Sequence, residues 1–319
     1  MMFFVFLTSA ISMGVTFLYG CVGEIITEKS GHLNLGIPGI MCVGGFGGCL
    51  GVSIYMQSLS SPDNANWFLL IIISMFFSVL FSAMFGALYC FLTVTLRANQ
   101  NVTGLAITTF GVGFTNYFVK NINMANFTKA SALISYSPLK GKLGEFGDIF
   151  VSHGFFIYFA IVIAIVAALV LNKTRVGLNL RAVGENPATA DAAGISVTKY
   201  RYIATIIGSM IAGLGGLFYI MDRLGGHWEY VLDIMGWLAI ALVIFTLWKP
   251  IISIFGSILF GGLYIAGSYI TGLSIHQKEL FGLLPYVITV IVLIITSVLD
   301  SKENQPPAAL GLNYFREDR

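Results

Sequence analysis

The sequence predicts an all-α, polytopic transmembrane helical bundle, and three observations carry that prediction. Hydrophobic types make up 57% of the 319 residues and charged types only 10%, where a soluble domain carries roughly 25% charged residues. Mean hydropathy is +0.86. Nine apolar segments reach or approach the length of about 20 residues that a spanning helix needs. So few charges cannot cover a water-facing surface, which excludes a soluble enzyme and a disordered scaffold. The net charge of +2 argues against nucleic acid and other polyanions as partners. The 36 glycines and 26 phenylalanines fit closely packed membrane helices.

In chain order the segments run 3–23, 37–56, 67–96, 102–119, 154–172, 202–221, 234–248, 250–271 and 283–299. The first has no positive n-region, Lys29 being the first basic residue. It is therefore expected to remain as a span rather than to be cleaved as a signal. The second is rich in glycine, and a break or re-entrance there would change the parity of the topology. About nine spans are expected, and eight to ten fit the pattern. Lys249-Pro250 splits the seventh segment from the eighth, because proline stops one helix and starts the next. The chain 1–319 reads as one transmembrane domain with a connecting loop at 173–201 and a tail at 300–319.

Lys and Arg in the loops set the orientation. With the N-terminus outside, eleven of the 17 basic residues fall on the inner side and six on the outer. Five of the eleven (Lys173, Arg175, Arg181, Lys199 and Arg201) sit in the 173–201 connection, which is expected to be cytoplasmic. The nine segments as drawn contain no Asp, Glu, Lys, Arg or His, and Glu24 falls just past the first. Proton pumps and voltage sensors need ionisable groups at membrane depth. No GxxxxGK[ST] pattern occurs, so the chain has no P-loop of its own. The two gaps together favour a transport subunit driven by a separate motor.

Small residues recur at helix-contact spacing: Gly44 with Gly48, Gly47 with Gly51, the row Gly208, Ala212, Gly216, and the row Ser253, Ser257, Gly261. They suit movable helices around a pore or ordinary membrane packing. Cys21, Cys42, Cys49 and Cys90 lie in apolar runs with no CxxC pair and read as small buried hydrophobes. His32, His153, His227 and His276 are scattered, so no metal site, cofactor site or catalytic constellation is expected.

The 173–201 loop carries a short helix with signals at both ends. Asn186 suits an N-cap, Pro187 the first helical position, and Ala188, Ala190, Ala192 and Ala193 favour helix. Gly194 fits the left-handed residue after it. The helix expected over 187–193 is too short to stand alone in water. It needs a surface, either its own bundle or a groove on a partner.

The stretch Arg181–Ile195 (RAVGENPATADAAGI) resembles the coupling segment of ABC-importer permeases in the ribose, branched-chain amino acid and nucleoside superfamily. Gly23–Glu28 (GEIITE), Leu33–Gly36 (LNLG), Ala212–Gly216 (AGLGG), Gly236–Ala241 (GWLAIA), Trp248-Lys249-Pro250 and Pro307–Gly311 (PAALG) with Arg316-Glu317 agree in order. Together they cover most of the chain apart from about 57–155, and the nucleoside or simple-sugar branch is the most similar. One departure is Ile37-Pro38-Gly39, where many members carry an acidic residue before the glycine.

The resemblance implies a type II ABC-importer permease fold in the bacterial cytoplasmic membrane. It also implies a separate ABC ATPase subunit, a second permease subunit that is a different chain, and an extracytoplasmic solute-binding lipoprotein or periplasmic protein. The solute would be a nucleoside or, alternatively, a simple sugar. It assigns ATPase coupling to Glu185, Asn186, Pro187, Ala188, Ala190, Asp191, Ala193, Gly194 and Ile195. Uncharged polar and aromatic groups would line the translocation path, with Asn34, Thr108, Thr109, Phe110, Phe114 and Asn116 as candidates. Phe110 and Phe114 share a helix face and could stack on a base or simply pack. The external stretch 120–153 could dock the binding protein or form a solvated loop with a short surface helix. An ion-coupled secondary transporter, using backbone carbonyls rather than buried charge, is the rival reading.

Overall fold

The computed structural model describes residues 2–142, 144–299 and 305–315, and among these there are helices and no strands. The helices are α1 (Met2–Glu28), α2 (Ile37–Ser58), α3 (Trp67–Cys90), α4 (Gln100–Phe118), α5 (Phe127–Ile134), α6 (Gly144–Val151) and α7 (Phe155–Lys173). They continue as α8 (Arg175–Glu185), α9 (Pro187–Ala192), α10 (Val197–Phe218), α11 (Asp233–Phe245), α12 (Pro250–Tyr269), α13 (Ile275–Phe281) and α14 (Leu284–Leu299). Eight stretches are long and apolar enough to cross a membrane: Phe3–Glu28, Ile37–Ser58, Trp67–Thr95, Gln100–Asn121, Phe155–Lys173, Val197–Arg223, Pro250–Tyr269 and Ile275–Val298.

The seventh sequence segment differs. Its helix α11 has 13 residues, about 20 Å of rise, which is short of a hydrocarbon core of about 30 Å. It ends at Phe245 because Leu247 and Trp248 turn left-handed, with φ of 55° and 56°, before Pro250 opens α12. The glycine-rich second segment is one unbroken helix, buried along most of its length. The short 275–281 helix was not expected. Ser274 and Gln277 build a capping box in front of it.

Helix α10 is at the centre of the core, packed against α1, α2 and α3, with α4, α7, α11 and α12 around them. The small-residue rows make these crossings. A Cβ on Gly23 would lie 2.3 Å from the Gly208 carbonyl oxygen, and one on Gly44 would lie 2.2 Å from Gly213 Cα. On α2, Gly44 and Gly48 face α10, while Gly47 and Gly51 face α3. On α12, Ser257 and Gly261 meet Gly14 and Ala10 of α1. Packing therefore accounts for all of these rows. The outer helices turn Phe76, Met84, Val162, Phe255, Ile294 and Val298 outward, an apolar surface suited to lipid.

Helix α1 continues past the first apolar segment, and this corrects the expectation of charge-free spans. It carries Glu24 and Glu28 to positions 1% and 4% exposed. Hydropathy falls where the charges begin, but a helix does not stop there if its carboxylates find partners.

Candidate functional site

The loop 173–201 holds two helices rather than one. Thr174 caps α8 by accepting a hydrogen bond from the Gly177 amide at 3.1 Å. Gly177, Leu180, Val183 and Gly184 face inward at helical spacing. Two of these four inward positions are glycines and five basic residues are spread over the loop, so the helical periodicity is faint in the sequence. The C-terminal end of α8 rests on the turn after α1, where the Cα of Gly184 lies 3.1 Å from a Cβ built on Gly31. In that turn, burial lowers the pKa of the Lys29 ammonium.

Helix α9 follows at once. The Asn186 side chain accepts from the Thr189 amide at 3.0 Å, and Pro187 holds the first helical position. At the far end Ile195 N–H donates to the Ala190 carbonyl and Gly194 N–H to the Asp191 carbonyl, both at 3.0 Å. Gly194 sits at φ +83°. This is the Schellman arrangement. Ala190 is buried with Val183 and Val197 in a small cluster separate from the main core. Glu185, Asn186, Thr189, Ala192, Ala193 and Gly194 are exposed, whereas Pro187, Ala188, Asp191 and Ile195 are half-buried. The helix thus presents one contiguous outward surface on a thin apolar footing.

The tail 305–315 crosses this end of the bundle. Ala309 N–H donates to the Gly184 carbonyl at 3.0 Å, and Tyr314 Oη donates to Asp191 Oδ2 at 2.8 Å. Asn313 Nδ2 donates to the Arg97 carbonyl at 2.8 Å. Arg201 Nη1 donates to the Leu312 carbonyl at 3.0 Å. A polar cavity of about 460 Å³ lies beside it, lined in part by Thr93, Arg97, Asp191, Ser196, Arg201 and Tyr314. The sequence-predicted Arg316-Glu317 lies outside the described residues.

Beneath the tail is a buried polar layer. Glu24 Oε1 accepts the Asn34 amide at 2.9 Å, and Glu28 accepts from the Trp248 indole N–H. His32 is fully buried, with its ring nitrogens 2.7 Å from Thr205 Oγ1 and 2.8 Å from Thr93 Oγ1. Burial, with the nearby Arg201 charge, pushes the imidazole pKa down to about 3.

The path candidates divide into two groups. Asn34 and Thr108 are buried against backbone: Asn34 Oδ1 accepts the Gly36 amide at 2.9 Å and Thr108 Oγ1 donates to the Leu35 carbonyl at 2.8 Å. They fix the first turn of α2 against α4. Thr109 and Phe110 face outward, and Asn116 is half-exposed on the same flank as Gly113. Phe110 is 55% exposed and stacks on Phe85 at 5.5 Å and 14°. Phe114 is half-buried between Phe46, Phe85 and Phe118. Asn116 reaches the Tyr230 carbonyl at 3.5 Å. The structure therefore exposes Thr109 and Phe110 and partly exposes Asn116 on α4, and packs Asn34, Thr108 and Phe114 against neighbouring groups.

On the opposite end, the stretch 120–153 folds as α5 and α6 rather than as an open loop. Phe127, Ala130 and Ile134 anchor α5 inward, and Lys129 pairs with Asp63 at 2.8 Å. Among the described residues no group of His, Cys, Asp and Glu could hold a metal.

A bundle with eight helices long and apolar enough to span a membrane defines the class of polytopic helical membrane proteins. Residues 4–293 match the family described as the permease component of the branched-chain amino acid transport system, and the chain belongs to it. It is similar to the nucleoside ABC transporter permease protein NupC of Lactococcus lactis subsp. cremoris, 29% identical over 94% of this chain and 93% of the relative. The putative glucose ABC transporter permease protein TsgC13 of Haloferax volcanii is 27% identical over 98% of this chain and 97% of its own. The guanosine ABC transporter permease protein NupQ of Bacillus subtilis is 28% identical over 93% and 92%. The chain is an ABC-transporter permease with nucleoside permeases, and one sugar permease, among its relatives.

Proposed function

We propose that this permease carries nucleosides inward across the bacterial cytoplasmic membrane, as one of two different permease chains served by a separate ATPase. The observation that carries the reading is full-length similarity to nucleoside permeases. The capped, outward-facing α9 supports a seat for the ATPase at Glu185–Ile195. The basic 173–201 loop supports a cytoplasmic location for that end, with the N-terminus outside and the C-terminus inside. A lipoprotein or periplasmic binding protein would deliver solute to the α5–α6 end. The chain acts as a single transmembrane domain, and ATP is hydrolysed elsewhere.

Thr109, Phe110 and Asn116 offer a weakly binding wall of hydroxyl, ring and amide groups. Weak contacts suit a path, since tight binding slows release. The second reading is a simple sugar, favoured by the similarity to a glucose permease.

The test is ATP-driven uptake of labelled nucleoside into vesicles holding the whole complex, with unlabelled nucleosides and glucose as competitors. Nucleosides should compete and glucose should not. Uptake of labelled glucose with no uptake of labelled nucleoside selects the sugar reading. Uptake that persists without the ATPase, and collapses with an ion gradient, overturns both.

A further inference from the structure

We propose that the tail segment Ala309–Phe315 is a strap that ties α9 to the transmembrane helices, so that a push on α9 is transmitted through the tail as well as through α10. The inference rests on the reading of Glu185–Ile195 as the ATPase seat and adds a second route from it.

Helix α9 has six residues and a footing of three buried side chains, Val183, Ala190 and Val197. A helix this short has little stability of its own. Its own chain connects it to α10 through the joint at Gly194, where a Cβ would meet no atom within 4 Å and only the two cap hydrogen bonds hold the turn. Without a further tie, a force on α9 would be spent in bending at that joint.

The tail supplies the tie at four separate elements. It bonds α8 through Ala309 and Gly184 at 3.0 Å, and α9 through Tyr314 and Asp191 at 2.8 Å. It bonds α10 through Leu312 and Arg201 at 3.0 Å. It bonds the α3–α4 turn through Asn313 and the Arg97 carbonyl at 2.8 Å, where Arg97 is left-handed at φ 58°. Gln100 Nε2, at the start of α4, adds bonds to the Leu312 carbonyl at 3.3 Å and Asn313 Oδ1 at 3.2 Å. Arg97 also lies 4.8 Å over the Phe315 ring. Displacing α9 from α10 must either break the Tyr314–Asp191 bond or pull the α3–α4 turn along. Helix α4, which carries Thr109, Phe110 and Asn116, begins at that turn. The strap therefore joins the ATPase seat to the wall of the path.

The experiment uses the complete complex in vesicles, with Tyr314→Phe, Asn313→Ala and the double variant. Neither residue lies in Glu185–Ile195, and Tyr314→Phe keeps the ring in its cluster while losing the hydroxyl. Solute taken up per ATP hydrolysed should fall at least threefold in the double variant and in part in Tyr314→Phe. Amide exchange over Thr189–Ala193 should speed up together with it. Uptake per ATP at the wild-type level overturns the strap, whether or not exchange has changed. If the double variant does not assemble, Tyr314→Phe alone decides on the same terms. Gly194→Val separates the two ideas: if it uncouples while the strap variants do not, only the strap falls. If it couples normally, the ATPase seat falls.

Discussion

His32 shows how one buried side chain links stability to pH. Its ring lies 5.1 Å from Tyr89 and is held between two threonine hydroxyls. Burial and Arg201 hold its pKa down at about 3, whereas the unfolded chain titrates at about 6.5. Between those values the unfolded state binds a proton that the folded state does not, so stability falls as pH falls. The loss is on the order of 2 kcal/mol from pH 6.5 to 5. Thermal unfolding of the purified protein at both pH values should show it, and His32→Gln should flatten that part of the curve. An unchanged acid loss in the variant would remove the assignment. Neither this site nor the burial of Glu24 was legible in the sequence. Thr93 and Thr205, the partners of His32, lie 61 and 173 residues away, and helix packing alone brings them together.

At the scale of elements, caps were legible and depth was not. Asn186, Pro187 and Gly194 act locally, so their spacing was enough to place α9. The observed helix, Pro187–Ala192, is one residue shorter than expected. Asn186→Ala should cost the helix about 1 kcal/mol. Gly194→Val should cost more, because a β-branched residue resists a φ of +83° even though nothing crowds its Cβ. ATPase stimulation by solute in the assembled complex should drop in that order, and wild-type stimulation in Gly194→Val would contradict the assignment. Helix spacing also put Phe110 and Phe114 on one flank, but it could not say which of them faces out. That choice is made by Phe46 and Phe85, whose rings close over Phe114. Helix α8 escaped notice because its inward positions include Gly177 and Gly184, which carry no hydrophobic signal.

Across the whole molecule, the count of apolar segments gave the bundle and left its joins unknown. A tail that bonds Gly184, Asp191, Arg97 and Arg201 gathers residues scattered over most of the chain, and no local pattern announces it. The path is a similar case, because its wall depends on how α4 rotates against α2. Phe110→Ala and Asn116→Ala should raise the solute concentration for half-maximal uptake severalfold, with ATPase assembly unaffected. Thr108→Ala should instead lower the amount of folded protein, since Thr108 holds the Leu35 carbonyl. Uptake kinetics unchanged in both surface variants would take α4 out of the path.

The glycine contacts of Gly23 with Gly208, and of Gly44 with Gly213, have a mechanical consequence. Backbone rests on backbone at both places, with no side chain in between to swing aside. Helix α12 meets α1 in the same way, Gly14 against the Ser257 carbonyl and Gly261 against the Ala10 carbonyl, so α1, α2, α10 and α12 turn as one block, like a shaft keyed to its hub. Any opening stroke has to swing the outer helices around that shaft.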